Sequence, residues 1–399
     1  MNERIVATFN VGSSSIKLAA FAADPSCGLG PRLLRAEITG LQDAPRLSAV
    51  SANSQLANVF LSGADISDLD PAALAPRLIN AVEKALGQPL AALGHRVVQG
   101  GRHNSASRIA TSELIAELGA LSALAPDHQP YNLAAIRAVS GARPELVQTL
   151  SFDTAFHRTQ PRIAQIYALP RALTESGLLR FGYHGLSYAH IARHLPQCFP
   201  GFRTQRTLAL HLGSGSSLCA MLNGRSIATS MGFSALSGVA MATRSGDIDP
   251  GLLLYLMSEQ HMSAAEISDM LRKQSGLLGV SGLSGDLRVL EAAGTPEAEE
   301  AIALFVYRIV RECGSHIAAL GGIDTLVFTG GIGENSRHVR SAISAGLAWA
   351  GVQVDPVANH QHGPLLSPAG APVSVFVLPA DEESEIARDC LALSGTGLA

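Results

Sequence analysis

One pattern occurs twice in this sequence and constrains its fold more than any other feature. Ile5–Phe21 reads IVATFNVGSSSIKLAAF and Leu208–Leu222 reads LALHLGSGSSLCAML. Each is an alternating apolar run, a Gly/Ser turn and a second alternating run, the pattern of a strand, a tight turn and a return strand. The two copies begin about half a chain apart, which points to duplication of a domain core. With 399 residues, 47% of them hydrophobic, the chain is long enough for two packed domains.

Strand and helix signals alternate between and after the hairpins. Leu146–Phe152 is a strand candidate. Ala298–Leu320 carries helical apolar spacing through Ile302, Phe305, Val306, Ile309 and Val310, and stops at Gly321-Gly322. The buried strand Thr325–Thr329 then runs into a GGIGEN loop, with a further helix starting near Ser336 and Asn335 or Ser336 as its N-cap. Strands followed by helices give α/β layers. Pro25–Pro76 reads as looser chain without evident chemistry.

Net charge is −4 with no basic block, so a nucleic-acid partner is not expected. The cysteines (Cys27, Cys198, Cys219, Cys313, Cys390) are scattered without a CxxC pair, which argues against a disulfide framework or a zinc site. The opening residues lack the pattern of a signal peptide, and no apolar run is long enough for a bilayer. The expectation is a cytoplasmic protein with no membrane partner.

Three segments suit phosphate. Gly/Ser turns expose backbone N–H groups with no Cβ in the way. Gly12-Ser13-Ser14-Ser15 is followed by Lys17, which shares a strand face with Ser15. The second turn is Gly213-Ser214-Gly215-Ser216-Ser217, and the third segment is Gly330–Asn335. None is a Walker A loop or a GxGxxG fingerprint, so a P-loop enzyme and a dinucleotide dehydrogenase both fit poorly. Short polar strings also stand between apolar segments: GHRVVQGG (Gly94–Gly101), APDHQP (Ala125–Pro130), SFDTAFH (Ser151–His157), RFGYHGLS (Arg180–Ser187), TRSGDIDP (Thr243–Pro250) and PADEESEIARD (Pro379–Asp389). Residues at element tips can converge on one site.

These strings, in this order and spacing, resemble the acetate kinase family and its propionate kinase relatives from Asn10 to about Asp389. The resemblance implies a duplicated actin-like ATPase (ribonuclease H-like) α/β fold, with βββαβαβα cores around a nucleotide cleft. The expected domains are 1–154 plus 383–399, on the substrate side with the first phosphate loop, and 155–382 for nucleotide, with hinges near Ala155–Pro161 and Pro379. The implied reaction is reversible, Mg²⁺-dependent phosphoryl transfer from ATP to acetate, giving acetyl phosphate and ADP. Propionate or another short acid, hydroxylated ones included, is the alternative acceptor.

By the same resemblance, Arg96 and Val98 bind the carboxylate and Arg244 bridges substrate and phosphoryl group. His184 donates to phosphoryl oxygens, with His128 and His211 nearby. Asp153 matches the family's essential aspartate, read here as holding metal-bound water or orienting Arg and His side chains. Asn10 and Glu382 match the Mg²⁺ site (Mn²⁺ as a substitute), with Glu383 its neighbour. Lys17, His211, Leu212, Gly213, Ser214, Gly215, Asp286, Leu287, Arg288, Gly331, Ile332, Gly333, Glu334 and Asn335 are expected around ATP or ADP. A homodimer is implied as well.

The match departs from the family pattern at several places. HRVVHGG reads HRVVQGG with Gln99, HLGNGxS has Ser214, APLHNP has Asp127 and Gln129, GFTPLEG reads GFSALSG with Ala235, and MGTR reads MATR. Ala235 enlarges the acyl pocket. Asp127 either turns outward, the preferred reading because pockets relax, or hydrogen-bonds a polar group on a different acid. A sugar kinase is the nearest rival, and Arg96 and Arg244 favour a carboxylate over it. A chaperone-like nucleotide switch is the rival from another class.

Overall fold

The computed structural model describes residues 4–12, 15–24, 28–41 and 44–395, and the chain divides by its own contacts into two units, 1–156 with 381–399 and 157–380. In the first unit, β1 (Arg4–Val11) and β2 (Ser15–Asp24) form the expected hairpin, with Asn10 opposite Lys17. The sheet continues through β3 (Gly28–Thr39) and β4 (Arg46–Val50) on one side. On the other it continues through β5 (Ala92–Val97), β7 (Val147–Phe152) and the two-residue β6 (Arg108–Ile109). The order is β4-β3-β2-β1-β5-β7-β6, with β1, β5 and β7 parallel.

Alternation along the strands gives this sheet two apolar faces. Phe9, Leu18 and Leu34 pack with Leu74 and Leu78 of the helix Pro71–Leu86. Val6, Ala19, Phe21 and Ala92 pack with Ala387 and Cys390 of the C-terminal helix Glu382–Gly395. That helix lies close on β5 because Gly94 has no side chain: a Cβ there would stand 2.6 Å from Ile386 Cγ2.

The second unit repeats the plan. β8 (Arg206–Leu212) and β9 (Ser216–Leu222) form the second hairpin, extended by β10 (Arg225–Thr229). β11 (Thr325–Thr329) and β12 (Ser374–Val377) add in parallel to give the order β10-β9-β8-β11-β12. This is the arrangement of β3-β2-β1-β5-β7, sense for sense. Phe305, Ile309 and Cys313 of the helix Pro296–Leu320 fill the core against Leu210, Leu218 and Phe328. The helix is capped by Thr295 at its start and by Gly321, at φ 68°, at its end.

Two expectations are corrected. The Pro25–Pro76 stretch is not loose chain: it supplies β3, β4, the helix Ser54–Gly63 and the start of Pro71–Leu86. GGIGEN is not a loop but a short helix, Gly330–Asn335, followed by the helix Arg337–Gly346 with Ser336 as N-cap. The turn into it needs Gly330, whose φ is 77° and whose added Cβ would meet Leu212 O at 2.7 Å.

Candidate active site

In the first unit, the carboxyl ends of three neighbouring parallel strands carry Asn10 (β1), Arg96 (β5) and Asp153, the residue after β7. Open α/β sheets concentrate function at these ends. Arg96 donates to Asp153 through two bonds, Nε to Oδ1 at 2.8 Å and Nη2 to Oδ2 at 2.6 Å. Its Nη1 reaches Asn10 Oδ1 at 3.3 Å, and Glu382 Oε2 lies 3.7 Å from Nε. Burial works against the charge on Arg96, but Asp153, Glu382 and Glu383 outweigh it and hold its pKa above the usual arginine value. The guanidinium is therefore a permanent cation, clamped in one orientation by a buried carboxylate.

The two candidate glutamates separate. Glu382 turns toward Arg96, whereas the buried Glu383 lies 3.4 Å from Arg35 on β3. Asp381, just before them, is held by Arg32 of the same strand. Lys17 stands 4.0 Å from Glu37, its register partner on β3. Gly12 closes the first turn with its N–H on Ser15 O at 2.8 Å. Ser13 and Ser14 lie outside the described residues.

Two of the departures, Gln99 and Gln129, meet through the Gln99 backbone. The Gln129 side chain accepts from the Gln99 N–H at 3.0 Å and donates to the Gln99 carbonyl at 2.9 Å. The Gln99 side chain accepts from Gly101 N at 2.8 Å. Val98 is buried beside them, its N–H on Asn132 Oδ1 at 3.2 Å. Buried amides must be paired, and each of these side chains meets that need on backbone groups. Asp127 is half-buried immediately ahead of His128, the N-cap of the helix Gln129–Ala142.

In the second unit, His184 caps the helix Gly185–Cys198 at φ 58°, a left-handed conformation uncommon for a residue with a Cβ. Its Nδ1 is hydrogen-bonded to Ser217 Oγ at 2.8 Å, and that hydroxyl to Tyr188 Oη at 2.6 Å. His211, on β8, is bonded through Nδ1 to Ser187 Oγ at 2.9 Å and stacks on His184 with ring centres 4.2 Å apart. A Cβ on Gly215 would lie 3.3 Å from His184 Nε2 and 3.6 Å from Arg244 Nη1. The second Gly/Ser turn, one imidazole and one guanidinium thus converge. The segment before Arg244 is tied to the same turn by Ala242 N on Ser214 O at 3.2 Å, and Arg244 Nη1 donates to Ala235 O at 3.2 Å.

Gly331 adjoins this turn, its N 3.7 Å from the Cβ position of Gly213, while Leu212 is buried beneath. Glu334 Oε1 accepts from Gly330 N at 3.0 Å and from Ala380 N at 2.9 Å. Asn335 Nδ2 donates to Gly331 O at 2.8 Å. The buried Arg340 donates to the carbonyls of Gly333 (2.9 Å) and Glu334 (2.8 Å), which fixes the far end of the short helix. Asn335 and Ser336 border a cavity of about 510 Å³, lined also by Leu290, Glu291 and His362. Asp286 and Arg288 pair with each other at 2.6 Å around the N-terminus of the helix Leu287–Ala293, with Leu287 buried.

Sequence reasoning missed Arg32, Arg35 and Glu37 on β3, the hydroxyl of Tyr188, and Arg340, and it gave Ser187 and Ser217, which lie in segments it named, no histidine partner. Ser217 reads as part of the second Gly/Ser turn and Ser187 as the end of a polar string, so neither suggests a bond to a histidine ring. The Arg35–Glu37 alternation was the available hint on β3.

The sequence profile described as the Acetokinase family matches residues 5–388. An acetate kinase of Methylocella silvestris is 45% identical over 401 residues, 98% of this chain and 98% of that protein. One from Rhodopseudomonas palustris is 45% identical over 98% of this chain and 99% of its own length. Among solved structures, a propionate kinase from Francisella tularensis superposes with a TM-score of 0.83 at 31% identity, over 98% of this chain and 100% of that one. An acetate kinase from Porphyromonas gingivalis gives 0.81 at 33% identity, over 98% and 99%.

Proposed function

The chain belongs to the acetokinase family, and from that premise we propose that it transfers the terminal phosphoryl group of ATP reversibly to a short carboxylate, acetate first. The observation that carries this reading is Arg96, kept charged and oriented by Asp153 at the strand ends. A short carboxylic acid, with a pKa of about 4, is ionised at neutral pH and needs no base to become a nucleophile. Its oxygen forms a bond to the γ-phosphorus, the bond from that phosphorus to the β–γ bridging oxygen breaks, and ADP leaves. What limits the reaction is repulsion between two anions and the charge on the equatorial oxygens. Arg96, with Val98 beside it, receives the carboxylate. Arg244 and His184 donate to the moving phosphoryl group, and Asp153 holds Arg96. No proton has to move.

Lys17, His211–Gly215, Asp286–Arg288 and Gly331–Asn335 are assigned to the nucleotide. Asn10 and Glu382 are assigned to Mg²⁺, or Mn²⁺ in its place. Their oxygens are the hard donors such ions take, and both gather about Arg96. Among the described residues no group of three His, Cys, Asp or Glu could hold a metal. Phosphate and water oxygens would therefore complete the shell, as is usual for Mg²⁺. When bound, the ion neutralises phosphate charge.

Hydroxamate trapping tests the reaction. With ATP, Mg²⁺ and acetate an acyl hydroxamate accumulates, and Arg244→Ala abolishes it; product with a sugar and none with any carboxylate would refute the reading. A panel of acetate, propionate, butyrate and hydroxy acids compared by kcat/KM addresses Asp127 and Ala235. Acetate or propionate should lead, and a strong preference for a hydroxy acid would overturn that choice.

A homodimer is supported by the helix Pro250–Ser258, which exposes Leu252, Leu254, Tyr255 and Met257 and buries none of its residues. A cytoplasmic location is supported by dependence on ATP and by the described cysteines, which are all free thiols.

A further inference from the structure

Three successive acidic residues open the C-terminal helix, and each has its own guanidinium. Asp381 accepts from Arg32, Glu382 faces Arg96, and Glu383 faces Arg35. Successive residues on a helix point about 100° apart, since 3.6 residues make a turn. Rolling the helix by one residue about its axis would bring Glu383 where Glu382 stands. Carboxylates at a helix start are favourable in general, so composition alone leaves this choice open. The arginines of β3 remove the freedom.

They can do so only because β3 is irregular. Residues three apart on a regular strand face opposite sides of a sheet. In β3 the register slips: Leu34 pairs with Ala20 and Arg32 with Phe21, so Leu33 is the extra residue of a bulge. Leu33 and Leu34 consequently turn to the same core, against Phe9 and Leu18. Arg32 and Arg35 are both left on the opposite face, where the C-terminal helix lies. Arg32 is further seated on the Phe21 ring, 5.3 Å from its centre, and contacts Ser384 Oγ at 3.5 Å.

We infer that Arg32 and Arg35 are positioning residues that set the rotation of the C-terminal helix, so that Glu382 rather than Glu383 serves the metal-bound nucleotide. This rests on the assignment of Glu382 made above. Neither arginine touches the reacting groups. Their role is to fix the carboxylate, much as outer-shell partners fix metal ligands.

The test is Mn²⁺ binding to the full chain in the presence of ADP, followed by electron paramagnetic resonance, with metal-free ADP affinity measured by calorimetry. In Arg32→Gln/Arg35→Gln, Mn²⁺ affinity should fall about 10-fold, within the 10–100-fold seen when outer-shell partners are removed, while metal-free ADP affinity holds. Arg32→Lys/Arg35→Lys should recover part of the loss, and serves as the measurement if the glutamine pair fails to fold. Glu383→Gln should weaken Mn²⁺ binding less than Glu382→Gln. Wild-type Mn²⁺ affinity in the glutamine pair, beside a lost one in Glu382→Gln, overturns the positioning role and leaves the proposed reaction standing. Unchanged affinity in Glu382→Gln itself overturns the positioning role together with the assignment of Glu382 to the metal.

Discussion

At the scale of single residues, Arg96 and Asp153 show what the first unit contributes. Two parallel bonds hold a planar guanidinium in one orientation, which a lysine ammonium cannot reproduce. Arg96→Lys should keep the fold and the charge but lower kcat/KM for the acid by about 100-fold, the scale of losing one preorganised donor. Steady-state kinetics at saturating ATP checks it, and near-normal kcat/KM would contradict the assignment. Gly215 gives a complementary test in the second unit. A methyl group there would stand 3.3 Å from His184 Nε2, so the imidazole must give by a few tenths of an ångström, while Arg244 Nη1 at 3.6 Å is in ordinary contact. Gly215→Ala should lower kcat by about 10-fold, since a shift of about 1 Å at a reacting centre costs about 100-fold and this one is smaller. The melting temperature should change little, and an unchanged kcat would separate this turn from the chemistry. The motif residues stood out in the sequence because His, Arg and Asp beside glycine are unusual between apolar runs. Their supports did not show as such: Ser217 reads as one more hydroxyl of the Gly/Ser turn, and Arg340 is spaced like any surface residue although it is fully enclosed.

At the scale of elements, legibility followed regularity. Both hairpins and the helix Pro296–Leu320 could be read from their alternating or helical apolar spacing, and the strand Thr325–Thr329 from its short continuous apolar run before glycine. β3 could not: Pro31 interrupts it, and the bulge at Leu33 shifts the alternation by one, so neither half shows a full period. β4 alternates only between exposed and half-buried positions. The helix Gly330–Asn335 is too short, and too rich in glycine, to carry a helical period. The helix Pro250–Ser258 poses the opposite problem, for none of the residues of its apolar run is buried. If a second copy covers it, Leu254→Asp should yield monomers in sedimentation velocity, because Leu254 is 67% exposed and a buried carboxylate there would be unpaired. The circular dichroism spectrum should not change. A variant that still sediments as the wild-type dimer, or a wild type that is monomeric, would remove this face from consideration.

At the scale of the whole molecule, two sheets with one strand order explain why a single hairpin pattern recurs, and each unit also encloses its own neutral histidines. His95 in the first unit is bonded to Gln148 Oε1 at 2.7 Å. In the second, His157 bridges Ser226 Oγ and the Tyr183 carbonyl, both at 2.9 Å, and His316 is bonded to Glu312 O at 2.9 Å. Burial lowers each from 6.5 to about 4. A depressed folded pKa means that the unfolded chain takes up the proton first. The stability tied to these groups is whole above pH 6.5 and is lost as pH falls toward 4. A shift from 6.5 to about 4 is worth about 3 kcal/mol for each histidine once the solution is below both values. Because the three are divided between the units, both should weaken over one pH range. Between about pH 6 and 5 calorimetric unfolding should take up about three protons from these groups, before most carboxylates titrate. Replacing His95 by Asn should remove one of them and flatten the pH dependence of the transition that belongs to the first unit. If His95→Asn leaves that slope untouched, His95 is not the buried neutral group its setting requires.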